Sequence, residues 1–230
     1  MQEDSVLVAT GAWRSAFPGA AVGVLAMSGV HNPERSEPLE ASKRELEESL
    51  RADAAGIGSE GLSARPRFRA YLDYYRTHGK TYHVKGQWDS VAIKGKPIPS
   101  RAALVEAMYM AELKNLLLTA GHDLEAVALP VRVDVTSEDD RYVLMNGSER
   151  APSAGDMMMA DGEGIISTVL HGPDRRTRIT PESRKALFAV YAPAGVGESA
   201  VRDHLEDIRA NVLLVSPEAE TGVLATLAAD

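Results

Sequence analysis

Arg101 to Val127 reads RAALVEAMYMAELKNLLLTAGHDLEAV, and the chain changes character across it. Helical spacing of apolar residues dominates before this stretch, and short β-like runs dominate after it. Ser100 is a good N-cap, so the pattern predicts a helix from Arg101 to about Thr119, with Gly121 placed to end it. Val105, Met108, Glu112, Asn115 and Thr119 share one face of that helix at spacings of three and four. The face begins apolar and turns polar towards Gly121. Asn115 also continues the apolar row Leu104, Met108, Ala111 and Leu118, which argues for partial burial. A buried amide or carboxylate without a partner costs roughly 1–3 kcal/mol or more. These groups therefore either tie down the next loop or form the floor of a polar pocket. His122 and Asp123 are adjacent; in an extended chain their side chains point to opposite faces, so at most one faces such a pocket.

Working outward, Val22–Val30 reads as a buried strand. Pro38–Ala54 reads as an amphipathic helix with Leu39, Leu46 and Leu50 inward and its glutamates outside. The glycines of 56–61 should break that helix, Pro66–His78 predicts another, and the Lys/Gly/Pro-rich segment 79–100 is expected to run over the surface. Beyond Gly121, Val127–Val135, Arg141–Asn146, Met157–Ala160, Ile165–Leu170 and Ala186–Tyr191 predict strands, and Glu198–Val215 predicts a closing helix. Helices first and clustered strands later imply an α+β fold, a single domain with a mixed β-sheet and packed helices.

With 230 residues, 44% apolar and 25% charged, the composition is that of an ordinary globular chain. The absence of cysteine excludes disulfides and thiolate chemistry, and a reducing cytoplasm is expected. The acidic start MQEDS lacks the basic flank of a signal peptide, and the longest apolar run is too short and too rich in glycine to span a membrane. The net charge of −8 argues against a general nucleic-acid binder, yet Arg65–Arg101 holds nine Lys/Arg against two Asp. That segment is either a solvated basic stretch paired to acidic neighbours or a phosphate-facing surface. HGPDRRTRIT (His171–Thr180) makes a turn at Gly-Pro and then offers Arg175, Arg176 and Arg178, whose forks suit carboxylate or phosphate. The six histidines show no metal-ligand spacing, and no phosphate-binding glycine loop or GxSxG elbow is present. An enzyme with this inventory works by binding, positioning and polarising.

FPG at Phe17–Gly19, LVEAMYMAELKNLLLTAGHDLE, MADGEGI and DRRTRITPESRKALFAVY, in that order, resemble the B3/B4 editing domain of the phenylalanyl-tRNA synthetase β subunit, and more closely its free-standing relatives. The resemblance covers roughly residues 15–215. It implies an α+β fold, a pocket for an amino acid esterified to tRNA, hydrolysis of the mischarged ester, and no metal or organic cofactor. Matched without gaps, the synthetase's editing histidine falls at Ala120 and its aromatic neighbour at His122. The motif asparagine falls at Tyr109 and the aspartate three residues before it at Glu106. The tyrosine-recognising glutamate falls near Ala189, and the paired pocket glycines near Pro173 and Asp174. Because those groups differ, the expected catalytic set is His122, Asn115 and Thr119, with Glu112, Gly121, Asp123, His171 and Arg175 around the substrate. Arg65, Arg67, Arg69, Lys94 and Lys96 would meet tRNA. The alternatives are an enzyme acting on a free amino acid or amine in the same pocket, and a non-catalytic module that binds tRNA or a partner protein.

Overall fold

A continuous apolar run that is buried on both faces makes a central strand, and two such runs organise this molecule. In the computed structural model, which describes residues 6–229, they are the inner strands of an antiparallel sheet. In chain order the elements are β1 (Leu7–Ala9), α1 (Gly11–Ala16), β2 (Ala21–Ser28), α2 (Glu37–Leu62), α3 (Pro66–Thr77), α4 (Val84–Trp88), α5 (Ala103–Asn115) and β3 (Leu118–Asp123). They continue with β4 (Val131–Val135), β5 (Tyr142–Val143), β6 (Glu149–Arg150), β7 (Met157–Ala160), β8 (Ile165–Thr168), β9 (Gly172–Pro173), β10 (Lys185–Ala192), α6 (Glu198–Val215) and β11 (Glu220–Ala228). The four-stranded sheet has the order β11-β2-β10-β3; a five-stranded sheet, β1-β4-β7-β8-β9, contains the parallel pair β1/β4. A small hairpin, β5–β6, completes an α+β fold with mixed strands.

The helix α6 lies on the four-stranded sheet through Val201, Leu205, Ile208 and Val212, a buried stripe at helical spacing. Gly23 permits that approach: a Cβ there would stand 2.6 Å from Val201 Cγ1 and 2.9 Å from Leu205 Cδ1.

Four expectations are corrected by this architecture. First, the central helix stops at Asn115. Leu116 takes a left-handed cap (φ 61°), its N–H donates to Glu112 O at 2.8 Å, and Leu118–Asp123 then pairs with β10. A short apolar run has no decisive period, so burial beside β10 outweighs helical continuation. Gly121 is therefore mid-strand, and Ser100 is not the N-cap: that position belongs to Ala102, whose N–H donates to Glu106 Oε1 at 2.9 Å. Second, segment 79–100 is not a surface run. Tyr82, Val84, Trp88 and Val91 are buried, through α4 and a π-turn at Asp89–Ile93, and Tyr82 stacks on Tyr71 with centroids 4.9 Å apart. Third, Glu47 of α2 is buried rather than outside, accepting the Ile98 N–H at 2.7 Å; the break expected at 56–61 falls at Gly58, whose non-helical backbone (φ 63°) kinks Glu37–Leu62 into two helical stretches. Fourth, Gly172–Pro173 is not a free turn but the short strand β9, registered against Thr168 and Ser167. The sequence reading did not anticipate β1, α1 or β11.

Candidate functional site

The strand β3 is the outer strand of its sheet, so one row of its backbone groups faces away from β10. Glu112, in the last turn of α5, reaches that row, and its Oε1 accepts the Thr119 N–H at 2.7 Å. Beside this contact lies a cavity of about 350 Å³, large enough for an amino-acid-sized group. One wall is Leu118–Ala120 of β3 with Glu112; the other is the β8–β9 connection from Thr168 to Pro173, and His83 and Tyr191 complete the lining.

Tyrosine hydroxyls hold these walls. Tyr75 donates to Val169 O at 2.8 Å, Tyr142 to Gly172 O at 3.1 Å, and Tyr71 both donates to Tyr191 O and accepts the Leu118 N–H at 3.1 Å. Burial pushes all three hydroxyls above their ordinary range, so each remains a neutral donor. The sequence reading missed this set. The signal was present in the clustering of Tyr71, Tyr74, Tyr75 and Tyr82 in a chain with only seven tyrosines.

Glu112 is 8% exposed and has no cation in ion-pair range among the described residues. Desolvation pushes its carboxyl up to about 8 against the lowering effect of the Thr119 N–H, so it is mostly protonated at neutral pH. His171 moves the other way, to about 4, first through burial and then through the positive charges of Lys80, Arg150 and His78. Its Nε2 is closed off from solvent and has no hydrogen-bond partner, while its backbone N–H donates to Thr168 Oγ1 at 3.1 Å. Burial likewise lowers His83. The cavity thus presents the neutral His171 ring, a carboxyl poised to lose a proton, and the Thr168 hydroxyl.

Of the expected site residues, Glu112, Thr119 and His171 meet at this cavity. His122 does not line it. It is fully buried, donating from Nδ1 to Thr177 Oγ1 (2.7 Å) while Thr177 donates onward to Asp174, and Ser167 Oγ lies 3.4 Å from Nε2. Burial lowers it to about 3. Asn115 belongs to a clamp between α5 and α6: its amide donates to Asp207 (2.8 Å) and to His204 Nδ1 (3.2 Å), and His204 Nε2 donates to Thr119 Oγ1 (2.7 Å). Gly121 is a close-approach position, where a Cβ would lie 2.8 Å from Ile179 and 2.9 Å from Met108. Asp123 accepts from Ser183 Oγ at 2.6 Å and from the Glu125 N–H, capping the turn Leu124–Ala126. Arg175 is exposed, outside the cavity lining, and its backbone N–H donates to Val143 O.

In the basic segment, Arg65 is bound to Asp53 (2.6 Å), Arg76 to Asp73 and Lys85 to Asp89. Arg69, Lys94 and Lys96 are exposed, and Arg67 is half-buried, with its charge felt by His204. Of the positions matched to the synthetase pocket, Ala120 and Pro173 line the cavity. Ala189 stands directly across from Ala120 on β10, on the same sheet face, and Asp174 is buried against Thr177. Glu106 is engaged with Lys43 at 2.8 Å, and Tyr109 lines a separate groove with Glu112. Among the described residues no group of three or more His, Asp or Glu is arranged to hold a metal, and no helix is long and apolar enough to cross a membrane.

No protein-family model matches the chain, and a search of curated proteins finds no significant match. Among solved structures, the chain is similar to an N-terminal fragment of the phenylalanyl-tRNA synthetase β-subunit from Pyrococcus horikoshii, at 9% identity and a TM-score of 0.48. The match covers 91% of this chain and 48% of that one, so the chain spans about half the fragment's length. A likeness of this strength carries no argument; the α+β class rests on the chain's own elements.

Proposed function

We propose that the cavity beside β3 receives an aminoacyl group and that the protein hydrolyses its ester on tRNA. The observation that carries this reading is Glu112, a buried carboxyl with no cation of its own, on the wall of a cavity of about 350 Å³. An α-ammonium group is the complement such a carboxyl lacks. Support comes also from Ala120 and Pro173, two positions where the family resemblance implies a pocket, since both line this cavity.

In this mechanism the substrate's ammonium displaces the Glu112 proton and fixes the carbonyl near the β8–β9 wall. His171 accepts a proton on its imidazole from the water that attacks that carbonyl, and Thr168 Oγ1–H steadies the oxyanion. The C–O bond to the ribose then breaks, and the leaving oxygen takes the proton back from His171. His122 and Asn115 hold β3 and α5 in place and touch no substrate, and the Thr119 side chain, bound to His204, acts with them.

The test is deacylation of a panel of mischarged tRNAs. His171→Ala should slow hydrolysis by about 10²–10⁴-fold, the ordinary worth of a positioned base. Glu112→Gln should act mainly on KM. No release above the uncatalysed rate with any aminoacyl-tRNA rejects the reading. A second reading, an enzyme of free amino acids or amines, is favoured by one observation: Arg65, Arg76 and Lys85 of the basic segment are paired to aspartates, which leaves fewer charges for an RNA backbone. Hydrolysis of small aminoacyl esters with no measurable tRNA binding at low salt would select it.

A further inference from the structure

Two cations from distant parts of the chain neighbour the tyrosines that hold the β8–β9 wall of the cavity. Lys80 follows the end of α3, where its backbone N–H donates to Tyr75 O at 2.9 Å, and the hydroxyl of that same tyrosine holds Val169. Arg150 lies on β6 directly opposite Tyr142, whose hydroxyl holds Gly172. Each cation-bearing residue therefore directly neighbours a tyrosine that pins the wall, and His171 lies in sequence between the two residues, Val169 and Gly172, whose carbonyls are pinned. The charges of Lys80, Arg150 and His78 all reach its ring. Both Lys80 and Arg150 are exposed, and among the described residues neither makes an ion pair or a side-chain hydrogen bond. This sets them apart from Arg65, Arg76, Lys85 and Arg176, all of which are held by carboxylates.

We infer that Lys80 and Arg150, with His78, form an anion subsite at the cavity, and that it takes the phosphate of a nucleotide whose acyl group enters beside Glu112. An acidic protein that leaves exposed cations of two separate segments unpaired near one imidazole presents a local positive field to an anion. The choice of nucleotide rests on the reading proposed above; the anion subsite itself does not.

The experiment is calorimetric titration of the full chain at low salt with AMP, adenosine and inorganic phosphate, for the wild type and the Lys80→Ala/Arg150→Ala double variant. Charge-assisted contacts at two side chains should make AMP bind at least about tenfold more tightly than adenosine. That ratio should collapse towards one in the double variant and in high salt. Both substitutions are exposed, and an unchanged circular dichroism melt verifies that the fold is kept. Equal affinity for AMP and adenosine in the wild type, undetectable binding of both, or a ratio unaffected by the double substitution overturns the inference. Phosphate binding equal to that of AMP retains the anion subsite and overturns its assignment to a nucleotide. If the AMP preference holds while no aminoacyl-tRNA is hydrolysed, the subsite stands and the hydrolase reading falls.

Discussion

Glu112 and the histidines show how burial sets chemistry at single residues. A Glu whose folded pKa lies near 8, against an ordinary value of 4.5, favours folding less as pH rises, because folding must then bury a charge. The penalty begins near pH 4.5, grows by up to about 1.4 kcal/mol per pH unit and is complete above 8. Glu112→Gln removes it, so the variant should gain stability over the wild type across pH 4.5–8. Parallel urea titrations at pH 5 and 8 measure that gain; a difference that does not change with pH contradicts the assignment. The same proton governs ligand binding. Affinity for an aminoacyl ester should rise as pH approaches 8, and this rise should be absent in Glu112→Gln. At this scale the sequence singled out three residues that line one cavity, Glu112, Thr119 and His171, and Asn115 is half-buried with partners. It could not indicate that His122 is sealed, because the groups that seal it, Thr177, Ser167 and Asp174, come from residues 45 to 55 positions away.

Between elements, the contact of α6 with the sheet depends on how close the two can come. Gly23→Ala would push a methyl into Val201 and Leu205, and overpacking of this kind costs about 1–3 kcal/mol. A lower urea midpoint with an unchanged slope is the expected result. The polar clamp behaves differently. Asn115→Ala strips a donor from both His204 Nδ1 and Asp207, leaving the buried imidazole nitrogen unsatisfied at a cost of about 1–3 kcal/mol. It should also loosen β3 through Thr119, so KM for an aminoacyl ester should rise along with the loss of stability, whereas Gly23→Ala should leave KM unaffected. Element types were largely legible: β7 and α6 were expected within the bounds observed, and β10 within one residue at each end. The end of α5 was not, since LLLTAG suits either a last helical turn or a buried strand, and pairing with β10 makes the choice.

For the molecule as a whole, the buried histidines set acid stability. His122 and His204 have folded values near 3 against an ordinary 6.5, so the stability they support is complete above 6.5 and is lost as pH falls from there towards 3. Each contributes a slope of up to about 1.4 kcal/mol per pH unit, opposite in sign to that of Glu112. Between pH 4.5 and 6.5 these two histidines, with His171 acting in the same direction, outweigh one glutamate, so stability should climb with pH there, and a His204→Gln variant should climb less steeply. Urea midpoints taken every half unit across that range measure this directly. An equal slope in wild type and variant would mean that His204 titrates normally.

The amino-acid order alone determined the α+β class, the long helices, the strand-rich second half and a polar cluster around the end of the central helix. These properties follow from local periodicity, capping and burial preference, which neighbouring residues carry among themselves. Only the tertiary structure decided which polar groups face a void and which face one another. Strand register across β10, the tyrosines reaching over from α3 and the return of β8–β9 fix the distances between groups far apart in the chain, and those distances separate Glu112 and His171, beside empty space, from His122, enclosed by partners.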